Sequence, residues 1–243
     1  MFLFGGLIRR ALFMVILLAV AGGAVWWFFI RSDASVKTSA PAIPAQVAAN
    51  ATASSNSGPN SQKFVIVPKV DGISDATQAA YFANEKLASL PLPSTAEGTT
   101  TNVQGEIHLT PAGLDPSQPT TITIDLKSLK SDQAQRDGQV QRYLQTSQYP
   151  TATFTATKLT GYPDSFTSGQ PSQMQLTGTL DVHGVKKEVT WDVKANKAGN
   201  ILTGLATLKV NFGDFGLPVP NIAGIVSVQD GLTLQVTIVA EAA

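Results

Sequence analysis

The sequence predicts an all-β domain made of one antiparallel sheet with a single short helix. Three observations predict it. Segments in which apolar and polar residues alternate recur about eight times between Lys63 and Ala240. Gly, Pro, Ser and Asn gather between those segments. Within that stretch only Ser131–Thr146 carries a convincing helical pattern. Strand side chains point to opposite faces in turn, so each segment has one dry face and one wet face. Strands of that kind with turns between them close into a barrel or pack as a sandwich.

Ahead of the domain, Ala11–Ile30 (ALFMVILLAVAGGAVWWFFI) is a run of 20 residues without a charge. About 20 apolar residues in a helix span the hydrocarbon of a bilayer. Arg9 and Arg10 precede the run and Arg31 follows it. With the terminal amine counted, the positive excess predicts a single-pass span with residues 1–10 cytoplasmic and the bulk of the chain outside the inner membrane, on the periplasmic side. Trp26 and Trp27 fall near the outer end, where amphipathic rings prefer the interface. The competing reading is a cleaved signal peptide, whose apolar region is about 7–15 residues and ends in small side chains. This run is longer and ends in WWFFI, which favours an uncleaved anchor. Residues 31–62 are rich in Ala, Ser, Thr, Asn and Pro. They hold too little apolar surface to offset the entropy of ordering, so a disordered linker is expected. The domain is placed at residues 63–243.

Composition excludes several functions. The net charge is +0. Residues 63–243 carry 13 basic and 16 acidic side chains, so no basic stripe argues for nucleic acid. The chain has no Cys, which removes disulfides, thiolate metal sites and a Cys nucleophile. With only His108 and His183, a His-rich metal cluster is not expected.

Along the domain, KFVIV (Lys63–Val67) is a short strand stopped by Pro68. Gln78–Ala88 mixes helix formers with Tyr81 and Phe82 and is read as strand beside its strand neighbours. In Thr99–Leu109, Val103, Gly105, Ile107 and Leu109 share one side. Thr121–Lys127 turns Ile122, Ile124 and Leu126 inward. Ser131–Thr146 is the helix, with Ser131 or Asp132 as its expected cap. Thr151–Leu159 has Ala152, Phe154 and Ala156 on one face. Gly161–Gln173 is a loop. Leu176–Val193 (LTGTLDVHGVKKEVTWDV) is the clearest hairpin: Leu176, Gly178, Leu180 and Val182 align in one arm, Val189, Trp191 and Val193 in the other, around a His183-Gly184 turn that asks for positive φ at Gly. Ile201–Val210 and Gly231–Ala240 complete the sheet. Asn211–Pro220 between them is irregular.

The inner faces carry Ile107, Ile124, Phe154, Leu180, Trp191, Leu208, Leu234 and Val236, and Phe212 and Phe215 flank Gly213-Asp214 near them. Small residues, Gly105, Ala152, Ala156, Gly178 and Ala206, sit among the large ones. No charge falls on the inner faces read this way. Two outcomes fit. The barrel holds a cavity for one apolar ligand, or the small residues face large ones and the centre is solid. Phe212 and Phe215 are read as packed, with a flexible entrance as the alternative. His183 is read as a turn residue.

At this point the chain resembles the YceI-like family of polyisoprenoid- and lipid-binding proteins. The resemblance runs from about Lys63 to Ala240. It is carried by Arg136-Asp137, Tyr143-Leu144, YPTATF (Tyr149–Phe154), LTGTLDVHGVKKEVT (Leu176–Thr190), DFG (Asp214–Gly216) and a final strand after Asp230. The family often has Arg before DFG, whereas this chain reads VNFGDFG. PLPSTAEGTTTNVQG stands as an insertion-like segment. The resemblance implies a lipocalin-like, eight-stranded antiparallel barrel with one helix around a hydrophobic tunnel. It also implies binding of a long-chain isoprenoid, isoprenoid quinone or fatty amphiphile, without catalysis and without a cofactor. Arg136 and Asp137 are then either a headgroup contact at the tunnel mouth or a pair that fixes the helix on the barrel.

The functional expectation is a membrane-anchored lipid-binding barrel serving transport or storage, with a homodimer left open. The alternative is a solid β-domain with a structural or protein-contact role in the cell envelope. A weak hydrolase comes third. G-x-S-x-G, H-E-x-x-H and EF-hand patterns do not occur, and no carboxylate pair is nominated.

Overall fold

The computed structural model describes residues 34–53, 61–87, 93–166, 170–222 and 226–243. Two short helices, α1 (Ala45–Ala53) and α2 (Ala134–Tyr143), accompany thirteen strands. These are β1 (Gln62–Val67), β2 (Gln78–Leu87), β3 (Ser94–Thr100), β4 (Val103–Thr110), β5 (Gly113–Leu114), β6 (Thr121–Asp125), β7 (Lys130–Ser131), β8 (Thr151–Thr160), β9 (Ser172–Val182), β10 (Val185–Ala198), β11 (Ile201–Val210), β12 (Asn221–Ile222) and β13 (Val226–Ala242). Strands β1, β4, β6, β8, β9, β10, β11 and β13 lie side by side, and β13 pairs back onto β1 to close an eight-stranded antiparallel barrel. Strands β2, β3 and β7 continue from β13 as an extension of the same sheet.

Strand β13 is 17 residues long and makes this arrangement possible. One edge pairs with β11 from Leu232 to Glu241. The other edge is shared. Val239–Ala242 pair with β1, and Val226–Thr237 pair with β2. Where the partner changes, backbone groups would be left unpaired inside the protein, at a cost comparable to a lost hydrogen bond each. Thr77 is fully buried there. Its Oγ1 donates to the Val67 carbonyl at 2.6 Å and accepts the Val239 N–H at 3.0 Å.

The hairpin turn forms as its sequence asks. His183 (φ 56°) and Gly184 (φ 76°) both adopt positive φ between the paired Val182 and Val185. That is the mirror-image turn whose twist suits a two-residue hairpin loop. The Tyr149 ring lies against His183 with centroids 4.6 Å apart.

Three expectations need correction. First, Thr99–Leu109 is not one strand. It breaks at Thr101-Asn102, and β3 starts at Ser94, inside the segment that reads as an insertion. The buried positions of β3 are Ser94, Ala96, Gly98 and Thr100. Small and polar side chains there hide the alternation. Second, neither Ser131 nor Asp132 caps α2. Gln133 holds the N-cap position without a side-chain bond, and Ser131 instead gives its N–H and hydroxyl to Asp137 Oδ1, each at 2.7 Å.

Third, residues 34–53 of the expected disordered linker form an ordered strap on the barrel's outer face. The Lys37 and Pro41 carbonyls accept from Gln235 (2.8 Å) and from Asn196 and Thr203 (3.0 and 2.6 Å). Further on, α1 sets Val47 and Ala51 against Val70, Ile73, Ile201 and Val239. Ile201 and Val239 point outward from the sheet and would be wet without this cover. The small side chains that make the strap look disordered are what let it lie close. Among the described residues no helix is long and apolar enough to cross a membrane, and residues 11–30 lie outside them.

Thr77→Val keeps the shape but leaves the Val239 N–H and Val67 carbonyl unanswered. Chemical denaturation is expected to show a loss of about 1–3 kcal/mol with an unchanged m-value.

Candidate functional site

The barrel interior gathers ten of the eleven residues named from sequence. Phe154, Leu180, Trp191, Leu208, Phe212, Phe215 and Val236 are buried in one cluster, and Ile107, Ile124 and Leu234 pack against it. Inward orientation follows from the period of two, with one adjustment. A bulge between Ala156 and Lys158 resets β8, so Leu159 also faces Leu176.

Part of this interior is solid. Phe154 and Trp191 meet edge to face, with centroids 6.0 Å apart. A Cβ at Gly178 would lie 2.7 Å from Phe154 Cζ and 2.3 Å from the Thr155 carbonyl oxygen, so this glycine is small to admit a ring. Gly98 does the same for Tyr81, whose ring would stand 2.2 Å from an added Cβ. One end is stopped by a 3-10 turn, Phe212–Phe215, whose two Phe side chains are buried. That is the packed reading of these residues. The turn is pinned by Asp214, which accepts from the Asn211 N–H (2.9 Å) and from Lys187, and by Asp230, which accepts from the Phe212 N–H (3.2 Å). Tyr143 of α2 packs edge-on against Phe212 at 6.0 Å.

The lower half, toward β1, is different. The β10–β11–β13 wall there sets the small residues Ala195, Gly204, Ala206 and Ala240 among the buried Leu202, Val236 and Ile238. A Cβ at Gly204 would meet nothing within 4 Å except the Lys194 carbonyl oxygen at 3.8 Å. Leu176, Val193, Ala206 and Leu234 face inward from the middle of their strands, yet each stays partly accessible. Room on this wall is shown at Gly204, while Val193 also borders a cleft by the strap.

Charge also enters the interior, which the sequence reading did not expect. Extending the alternation of β10 from Trp191 and Ala195 puts Lys187 and Lys197 on the inner face. Lys187 is paired with Asp214. Lys197 holds its Nζ 5.7 Å from the centroid of the buried Phe64 ring, and burial pulls its pKa down. On β2, Glu85 is buried and bonds Arg136 at 2.7 Å. Arg136 also meets Asp132. Its guanidinium is thus held between two carboxylates, and the pair it makes joins α2 to the sheet extension. Beside it, burial pushes the Tyr81 hydroxyl up to about 12. His108 is buried on the outer side of β4, with Nδ1 3.0 Å from the Pro119 carbonyl oxygen. A cleft of about 710 Å³ of mixed polarity lies by the strap, with Lys37, Met174, Asp192, Val193, Lys194 and Thr207 in its lining.

Residues 73–240 match the family model of the YceI-like domain, which is more than half of the chain. The chain belongs to the YceI-like domain family. A curated relative, a UPF0312 protein of Vibrio parahaemolyticus, is 27% identical over 116 residues, covering 44% of this chain and 58% of that protein. The chain thus spans less than two-thirds of that relative's length. Two solved structures share the fold. BcnA of Burkholderia cenocepacia is 20% identical with a TM-score of 0.51, over 67% of this chain and 95% of BcnA. A polyisoprenoid binding domain from Saccharophagus degradans, implicated in plant cell wall breakdown, is 15% identical with a TM-score of 0.52, over 74% and 98% of the two chains. In this YceI-like barrel the extension β2–β3 and the seal by α2 surround the interior just described.

Gly178→Ala drives a methyl group into Phe154 and the β8 backbone. A loss of about 1–3 kcal/mol is expected in thermal or denaturant unfolding, and Gly204→Ala, with space for its methyl, is expected to cost less.

Proposed function

We propose that this YceI-like barrel binds a long-chain apolar ligand, a polyisoprenoid, isoprenoid quinone or fatty amphiphile, in the interior space and carries or stores it. The observation that carries this reading is the room beside Gly204, in a wall where Ala206, Val193 and Leu234 stay partly accessible. An apolar space of this kind favours apolar cargo, because polar groups entering it would lose water without gaining partners. The wall from Lys197 to Trp191, below the packed rings, is about 20 Å of strand, or about 15 Å along the axis after tilt, which suits the end of an extended chain. Affinity then comes from area removed from water, at about 25 cal/mol per Å² before the costs of association.

The family membership and the likeness to a polyisoprenoid binding domain support the same reading. A binding protein, and no enzyme, is what the apolar wall suits. In this proposal residues 11–30 anchor the chain in the inner membrane, with the N-terminus cytoplasmic and the barrel outside the cytoplasm.

Gly204→Phe fills the open side. Native mass spectrometry of the full chain is expected to show bound long-chain lipid in the unaltered protein. In the variant, uptake of the same lipid should fall at least tenfold while the melting temperature stays within a few degrees. Equal loading of both proteins would refute the interior as the binding site.

A further inference from the structure

Two lysines reach the inner face of this barrel, and they are not equivalent. Lys187 meets Asp214 at the end closed by the 3-10 turn. Lys197 lies at the other end, where β1 closes the barrel. Its place on the inner face is fixed twice. Its neighbour Asn196 points outward and donates to the strap at Pro41, and its own Nζ stands over the inward ring of Phe64. Among the described residues no carboxylate lies within ion-pair distance of it.

The surroundings of Lys197 are apolar. Phe64 is fully buried beneath it, and Leu202 and Ala240 are buried on the adjoining strands. A cation among such groups loses hydration, and the face of one Phe ring returns only part of it. The same burial lowers its pKa. The next inward residue of its strand is Ala195, and Gly204, paired with Ala195, leaves room for a Cβ. A half-buried ammonium over a buried ring, with no carboxylate partner among the described residues, is suited to an amphiphile with a negative head. Arg136, the headgroup candidate of the sequence, is already held by Glu85 and Asp132.

We propose that Lys197 is the headgroup subsite: the ligand is an anionic amphiphile, a fatty carboxylate or an isoprenyl phosphate, whose head pairs with the Lys197 ammonium while its chain fills the space along Gly204 and Ala206. This rests on the apolar-ligand reading above and narrows it. Neutral lipids of equal chain length fit the wall but leave the ammonium unpaired. Anions gain a charge-assisted bond in a weakly hydrated place, where such bonds are strongest.

The test uses the full chain in non-ionic detergent and four probes in two pairs: oleic acid with oleyl alcohol, and geranylgeranyl phosphate with geranylgeraniol. Affinities are read by native mass spectrometry for the unaltered protein, Lys197→Met and Lys197→Arg. The expected result is at least a tenfold preference for the anion in one pair or both. The pair with the larger ratio tells a carboxylate from a phosphate. Lys197→Met is expected to erase that preference with alcohol binding unchanged, and Lys197→Arg to keep it. Equal binding of acid and alcohol by the unaltered protein would overturn the headgroup assignment and leave the apolar site standing. So would a preference that survives in Lys197→Met. Failure of all four probes to bind would overturn both readings.

Discussion

The change of partner along one edge of β13 is the constraint on which the remaining architecture depends. Below Thr237 in the chain the strand serves β2, and beyond Val239 it serves β1. A strand cannot pair with two neighbours on one edge at one level, so the sheet is an eight-stranded barrel at one end and an extended wall at the other. Backbone polarity makes the fork costly unless something answers it, and the Thr77 hydroxyl does so. The extension in turn has to be joined to the far side of the barrel. Val140 of helix α2 and its C-cap residue Leu144 do this, packing with Tyr81, Leu126 and Ala152. The Arg136–Glu85 ion pair holds the helix there. A buried pair of this kind contributes little net stability, but losing one partner leaves an uncompensated charge.

The two ends of the barrel consequently have different interiors. Toward the extension, aromatic rings fill the glycine gaps at Gly98 and Gly178, and Phe212 and Phe215 close the end. Toward β1, alanines and Gly204 leave the wall thin. Close packing is the rule inside proteins, because an unfilled volume forfeits dispersion contacts. Unfilled room beside Gly204 is therefore costly in the empty protein, and a chain-like ligand there would restore the missing contacts.

Much of this was readable in the residues. The hairpin at His183-Gly184, the inward set around Trp191 and the strands from β8 to β11 follow from alternation alone, since large and polar residues there fall cleanly on opposite faces. Strand β3 was unreadable because its inward positions are Ser, Ala, Gly and Thr. The strap was unreadable for a related reason: Ala- and Pro-rich chain has no pattern of its own, and its order comes from Gln235, Asn196 and Thr203, far along the sequence. Lys187 and Lys197 were readable by the same alternation that placed Trp191, had it been carried to both ends of β10. Whether small inward residues meet rings or space is set by strands distant in sequence, and Gly178 and Gly204 came out on opposite sides of that question.

Binding inside this barrel requires open apolar volume beside Gly204. The most direct measurement is a crystal structure of the protein under xenon pressure, since xenon enters apolar cavities and gives strong density. Xenon is expected between Gly204, Ala206, Val193 and Leu234. Continuous side-chain density there, with no xenon inside the barrel, would contradict it.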